Sequence, residues 1–282
     1  MINDNNIDEA RGSQTTLPTQ ARLPINRCNL PAQILGGLTY QQYPVALHID
    51  GVETLHKQLF ERLENLAEQT DRTEQFKDYM VIQFRLHKLE DVGLMNNDEG
   101  RGNANYLRLL RGWLFNPDGR EAAVLKFWVE SRFGLLARYH RGPLMDQQSK
   151  NYQAYIAARS KGLYGTNALE AQLDLLYSYC QYELARQFSV HEHLQLYRGI
   201  NHLDKLDSLT PTKKNHHVVL LNNLNSFSSD RERACEFGDT LIEAEIPWQK
   251  VLYHSELFPG MHLGENEYLI IGGVCEVQTS YW

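Results

Sequence analysis

Residues 264–279 read Gly264-Glu265-Asn266-Glu267-Tyr268-Leu269-Ile270-Ile271-Gly272-Gly273-Val274-Cys275-Glu276-Val277-Gln278-Thr279. Two short runs of apolar and β-branched residues, Glu267–Ile271 and Val274–Thr279, flank a Gly-Gly pair, the pattern of two strands with a tight connection. Upstream the same grain continues through Leu194–Ile200, His217–Leu221, Leu241–Ile246 and Val251–Tyr253, divided by Gly, Pro and Asn. Only one short helix fits among them, Asp230–Phe237. Residues 190–282 therefore read as a β-rich unit.

Residues 46–189 have a different period. Val52, Leu55, Leu59, Leu63 and Leu66 recur at spacings of three and four, which marks one apolar helix face. A second helix is expected over 73–88. The segment 104–140 is rich in large apolar residues, with a turn signal at Asn116-Pro117-Asp118-Gly119. A last helix carries Leu169, Leu173, Leu176, Cys180, Leu184 and Phe188 on one face, and Asn167 with Glu170 forms a capping box. Residues 1–45 show no sustained period and read as a partly ordered tail or an extended strap. The fold class is α+β. A largely helical N-terminal part packs on a C-terminal β-rich core, in the divisions 1–45, 46–189 and 190–282. No Pro/Gly/Ser linker separates them, which allows one continuous body.

Composition narrows the function. The chain holds 28 Lys+Arg against 35 Asp+Glu, a net charge of −7, so it lacks the basic face that a broad grip on nucleic acid requires. Residues 190–282 carry 13 acids and 7 bases, so most of the imbalance lies in the β-rich unit. No run of about 18 apolar residues would span a bilayer. The first residues have neither a basic region nor an apolar one, so no secretory signal is expected. Cys28, Cys180, Cys235 and Cys275 form no CxxC, which suits reduced thiols and a cytoplasmic location.

Three pieces of the β-rich unit carry possible chemistry. In Leu196-Tyr197-Arg198-Gly199, a guanidinium on an apolar strand needs a partner, and its planar fork suits phosphate or carboxylate. Taken alone, an edge-strand salt bridge is the better reading of it. Ser226-Phe227-Ser228 puts two hydroxyls on one face of a strand, and Ser229 or Asp230 can cap the helix that follows. A strand end plus a cap explains that piece. Glu265-Asn266-Glu267 puts two acids on one strand face, roughly 6.5–7 Å apart. Such a pair repels unless it is solvated or meets a cation. It marks either an exposed strand start or a cleft for cationic groups.

Taken in order, Arg198, the Ser226-x-Ser228 pair followed by Ala234 and Phe237-Gly238, and Glu265-x-Glu267 resemble the R-S-E pattern of the cholera-toxin and clostridial-toxin class of mono-ADP-ribosyltransferases. Leu135-Leu136 within Arg132–His140, Tyr197-Arg198-Gly199, Asn225–Arg231 and Gly264–Gly273 further resemble the bacterial NAD(+)–dinitrogen-reductase ADP-ribosyltransferases, from about residue 20 onward. The resemblance implies NAD as co-substrate and transfer of ADP-ribose to a protein arginine, with release of nicotinamide. It implies dinitrogenase reductase, the nitrogenase iron protein, as the substrate thereby inactivated, and a PII-type signalling protein as regulator. Glu267 then matches the catalytic acid beside the ribose. Glu265 matches the acid that orients the incoming guanidinium, where branches with other acceptors usually have Gln. Arg198 matches the NAD-phosphate ligand, Gly199 the backbone grip on the carboxamide, and Ser226 the residue that fixes Glu267. Phe237 falls where an aromatic stacks near the nicotinamide, or else packs in the core. Ser255–Gly264 corresponds to the substrate-recognition loop, in which Phe258 is expected to be exposed toward the protein substrate or else folded under the loop. Phe227 stands where the toxins often have Thr.

Other signals carry less. His191-Glu192-His193 and His216-His217 lack a third ligand at zinc-like spacing, so no metal is expected. Gly93–Gly102 lacks the P-loop pattern, and Cys235 has no His at a defined spacing. Two alternatives stay open: an NAD glycohydrolase or arginine transferase for another protein, and a non-catalytic module that binds NAD or PII.

Overall fold

The computed structural model describes residues 16–86, 105–164, 166, 168–201, 207–209, 215–259 and 266–281. Among these, nine helices come first: α1 (Ala32–Leu35), α2 (Leu38–Gln42), α3 (Val52–Leu55), α4 (Lys57–Glu64), α5 (Gln69–Phe84), α6 (Tyr106–Phe115), α7 (Arg120–Phe133), α8 (Lys150–Leu163) and α9 (Leu169–Ala185). Then follow β1 (His193–Ile200), β2 (Asp207–Ser208), β3 (His216–Leu220), β4 (Leu224–Ser228), α10 (Arg231–Cys235), β5 (Thr240–Pro247), β6 (Val251–His254), β7 (Glu267–Ile271) and β8 (Val274–Tyr281). The fold is α+β, with helices leading and strands following.

Local chemistry sets the boundaries. The Asn105 side chain accepts the Arg108 N–H at 3.0 Å and starts α6, and Ser149 does the same for α8 from Tyr152 at 3.1 Å. The Asn116–Gly119 turn closes with Gly119 N–H donating to the Asn116 carbonyl at 2.9 Å. The single helix expected from Val52 divides at His56. That residue is buried and bonded through Nδ1 to the Tyr79 hydroxyl at 2.9 Å. Leu59 and Leu63 line the core, but Leu55 is 76% exposed, because the break rotates it off the shared face. Helix α8 was not expected: it is largely polar and buries only Tyr155. Asn167 of the expected capping box lies outside the described residues.

The eight strands form one antiparallel sheet in the order β2-β3-β8-β5-β1-β4-β7-β6. Helix α9 lies against β6 and is buried or half-buried from Leu169 to Leu184. Its polar groups are therefore paired inside. Glu183, without solvent contact, takes a two-bond fork from Arg72 at 2.8 Å each. Gln181 donates to the Val251 carbonyl, and the Tyr177 hydroxyl to the Gln249 carbonyl, both at 2.8 Å. Asp174 accepts the Trp128 indole at 2.7 Å and two guanidinium bonds of Arg132 at 2.7 and 2.9 Å.

Of the two readings of the N-terminal arm, residues 16–45 follow the packed strap. Leu17, Ala21, Leu35 and Leu38 join the main core. Gln41 on α2 bonds the Glu245 and Glu276 carbonyls and accepts the Glu276 N–H. Val274 N–H donates to the Gly36 carbonyl at 2.7 Å. A strap of this kind closes the sheet's unpaired polar groups as well as its apolar face.

Because Arg72 and Glu183 are both buried, removing one strands the other. Glu183→Ala is expected to destabilise the protein by about 3–5 kcal/mol, seen as a lower urea midpoint. Replacing both with apolar residues of similar volume is expected to cost far less.

Candidate active site

The sheet order places β1, β4 and β7 side by side, and these strands carry Arg198, Ser226 and Glu267. The registers Tyr197↔Ser228 and Ser228↔Glu267 bring the same end of all three together. All three side chains are half-buried. Arg198 Nη1 donates to the Ser226 carbonyl at 3.1 Å. The Ser226 hydroxyl and the Arg198 guanidinium both favour the ionised form of the Glu267 carboxylate. The three residues converge on one place.

Their electrostatics follow from burial against pairing. Burial raises the Glu267 pKa above its ordinary value, opposed first by the Ser226 bond and then by Arg198. Burial lowers the Arg198 pKa, opposed by Glu267; an arginine nonetheless stays a cation. Nearby, burial, and to a lesser extent Arg198, hold Lys126 down at about 8 against the opposing pull of Asp118. Its ammonium donates to the Pro117 carbonyl at 2.9 Å, the Tyr139 carbonyl at 3.1 Å and Asp118 Oδ1 at 3.2 Å. Burial and then Lys126 push His140 down to about 4.

The loop after β4 is built by short-range bonds. Ser228 Oγ accepts the Asp230 N–H at 3.0 Å. Asp230 caps α10, accepting the N–H groups of Glu232 and Arg233 at 2.9 and 3.2 Å. Gly199 has a packing reason of its own. A Cβ there would lie 2.2 Å from the Ala234 carbonyl of α10, so only glycine lets α10 rest on β1. Phe237, just beyond α10, is 64% exposed and so is not a core residue.

Two expectations need correction. Phe258 is fully buried, not presented to a partner. Its ring lies 6.0 Å from those of Phe76 and Tyr253, with Tyr106 and Tyr179 beyond. A large apolar ring at a strand end gains more under α5 and α9 than in water. The extended alternation does not run back from Glu267 either. Strand β7 begins at Glu267, and Asn266 takes a left-handed backbone at φ 54°, its carbonyl accepting the Ser229 N–H at 3.0 Å. Glu265 itself, with His262, lies outside the described residues.

The sequence reading missed Trp113. This buried α6 residue donates its indole N–H to Ser226 Oγ at 2.8 Å. The available signal was that a buried indole N–H needs an acceptor; nothing local names which one. Tyr253 on β6, fully buried, also lies within electrostatic reach of Glu267. His193 of the histidine pairs bonds the Gln41 carbonyl, and His191 is exposed. Among the described residues no helix is long and apolar enough to cross a membrane.

A carboxylate and a guanidinium on the two strands that flank β4 can hold a molecule that carries both anionic and cationic parts. Comparison with known proteins gives this geometry a context. Residues 25–279 match the family model described as dinitrogenase reductase ADP-ribosyltransferase. The chain is 38% identical over 264 residues to the NAD(+)–dinitrogen-reductase ADP-D-ribosyltransferase of Rhodospirillum rubrum, covering 91% of this chain and 94% of that protein. No solved structure matches it. The chain thus belongs to the dinitrogenase reductase ADP-ribosyltransferase family, enzymes that use NAD(+).

Proposed function

We propose that this enzyme transfers ADP-ribose from NAD to an arginine of dinitrogenase reductase, with release of nicotinamide, and so inactivates it. The observation that carries this reading is the convergence of Arg198, Ser226 and Glu267. In the reaction the bond from the ribose anomeric carbon to the nicotinamide nitrogen breaks, and its electron pair neutralises the pyridinium ring. A guanidinium nitrogen of the acceptor forms the new bond and loses a proton. Between these events the anomeric centre carries positive charge, which a fixed anion in a poorly solvated site stabilises well.

Glu267 is that anion, next to the ribose. Ser226 fixes its rotamer. Arg198 holds a phosphate of NAD, for which its fork is suited. The Gly199 backbone faces the carboxamide, and the exposed Phe237 ring stacks near the nicotinamide. Glu265 orients the acceptor guanidinium and takes its proton. Residues 190–282 serve as the catalytic core, and the helical region 46–189 backs it and offers surface to a PII-type regulator. A cytoplasmic enzyme meets both partners, and the buried thiols Cys28, Cys180 and Cys275 suit that compartment.

Labelled NAD incubated with dinitrogenase reductase is expected to label it, and Glu267→Gln to cut the rate by ~100-fold or more. Labelling that survives in that variant overturns the role of Glu267; free ADP-ribose formed at full rate without acceptor would mark a glycohydrolase instead. The pH dependence has a definite sign. Catalysis needs ionised Glu267, whose pKa burial raises, so the acidic limb of kcat/KM is expected above the ordinary carboxylate range. Ser226→Ala removes a bond to the charged form and is expected to move that limb further up.

A further inference from the structure

The contact between Trp113 and Ser226 has a direction. An indole nitrogen is a donor only, so Ser226 Oγ is the acceptor of the 2.8 Å bond. The hydroxyl keeps its own proton, and the ionised carboxylate of Glu267, on the neighbouring strand β7 and stabilised as the anion by Ser226, accepts only. The direction open to the Ser226 proton is therefore toward Glu267. We propose that Trp113 is a positioning residue for the transfer reaction, its indole N–H holding the Ser226 hydroxyl in the orientation that donates to Glu267. The inference rests on the function proposed above and adds a residue from outside the β-rich core.

The indole is itself held firmly. Trp113 is 2% exposed on the last turns of α6. The Lys126 ammonium lies over its ring, 5.6 Å from the centroid, and is anchored to the Pro117 and Tyr139 carbonyls. At the other end of α6, Tyr106 N–H donates to Gln172 Oε1 of α9 at 3.1 Å. Without the indole donor, the Ser226 hydroxyl is free to explore its other staggered rotamers, and its support of the Glu267 anion weakens. Among the described residues, the charged and titratable groups facing Glu267 are Arg198 from β1 and Tyr253 from β6. Burial pushes the Tyr253 pKa up, so it stays neutral. Replacing Trp113 alters neither.

The test is a double-mutant cycle on the full chain, with dinitrogenase reductase and labelled NAD. Trp113→Phe is expected to lower kcat about 10-fold, leave KM for NAD nearly unchanged, and move the acidic limb of the pH profile upward. Ser226→Ala should give the same direction of shift. Adding Trp113→Phe to the Ser226→Ala enzyme should then change kcat little, since the indole acts only through that hydroxyl. A parent-like kcat and pH profile in Trp113→Phe overturns the proposal, as do effects of the two substitutions that simply multiply. If Trp113→Phe fails to fold, benzothienylalanine at position 113 keeps the bicyclic shape and replaces N–H by sulfur, with the same readouts. Glu267→Gln run in parallel separates the two levels. An inactive Glu267→Gln with a parent-like Trp113→Phe rejects only the positioning role; an active Glu267→Gln rejects the functional reading beneath it.

Discussion

A helix buried along its length must satisfy every polar side chain within the protein, and α9 imposes that condition on this fold. Glu183 requires Arg72 of α5, Asp174 requires Trp128 and Arg132 of α7, and Gln172 receives the first turn of α6. On the other side, Gln181 and Tyr177 close carbonyls beside β6. Apolar burial favours α9 in the centre, but it does not choose a rotation about the helix axis. The fork between Arg72 and Glu183 and the Asp174 cluster do, because each rotated alternative leaves a charge unpaired in the core. The helices are thus placed by polar pairing and stabilised by apolar contact.

The same condition extends to the strands of the candidate site. Glu267 is half-buried, which favours its neutral acid, whereas the Ser226 hydroxyl and the Arg198 guanidinium favour the anion. Arg198 is subject to the converse balance. Each charge is thus tolerable because of the other. An anion held against the tendency of its surroundings to neutralise it is a stronger partner for a developing cation than a solvated one. Lys126 and His140 behind α6 are governed by the same burial, and there the carbonyls of the Asn116–Gly119 turn and of Tyr139 satisfy the ammonium.

Much of this organisation was legible, for physical reasons that differ by element. Strands such as Glu267–Ile271 show themselves because apolar β-branched runs bounded by glycine have few other stable forms. Helix α9 shows itself through Leu169, Leu173, Leu176 and Leu184, whose spacing survives its many polar neighbours. The order of Arg198, Ser226 and Glu267 was readable along the chain; their convergence depends on β4 lying between β1 and β7, a matter of sheet order that no local pattern carries. Helix α8 went unread because its apolar residues, Tyr152, Tyr155 and Ile156, form only a short patch in a small satellite cluster. Phe258 was expected to face a protein substrate because its loop resembles a recognition loop, or else to fold under that loop; the waiting rings of Phe76 and Tyr179 draw it inside. Gly199 illustrates a third case: the residue type was noticed, and the structure supplies a steric cause from α10. The bond from Trp113 to Ser226 joins residues 113 positions apart, beyond the reach of periodicity.

The order of the sheet also has a consequence for how the protein is made. Strand β8, late in the chain, lies in the interior of the sheet between β3 and β5, and apart from β2–β3 and β6–β7 no neighbours in the sheet are consecutive in sequence. Neither β3 nor β5 can complete its ladder until residues 274–281 have left the ribosome. A nascent chain therefore holds assembled helices and an incomplete sheet for the length of its synthesis, and non-local pairing of this kind closes slowly. Competence is thereby postponed until translation of the whole sheet is finished.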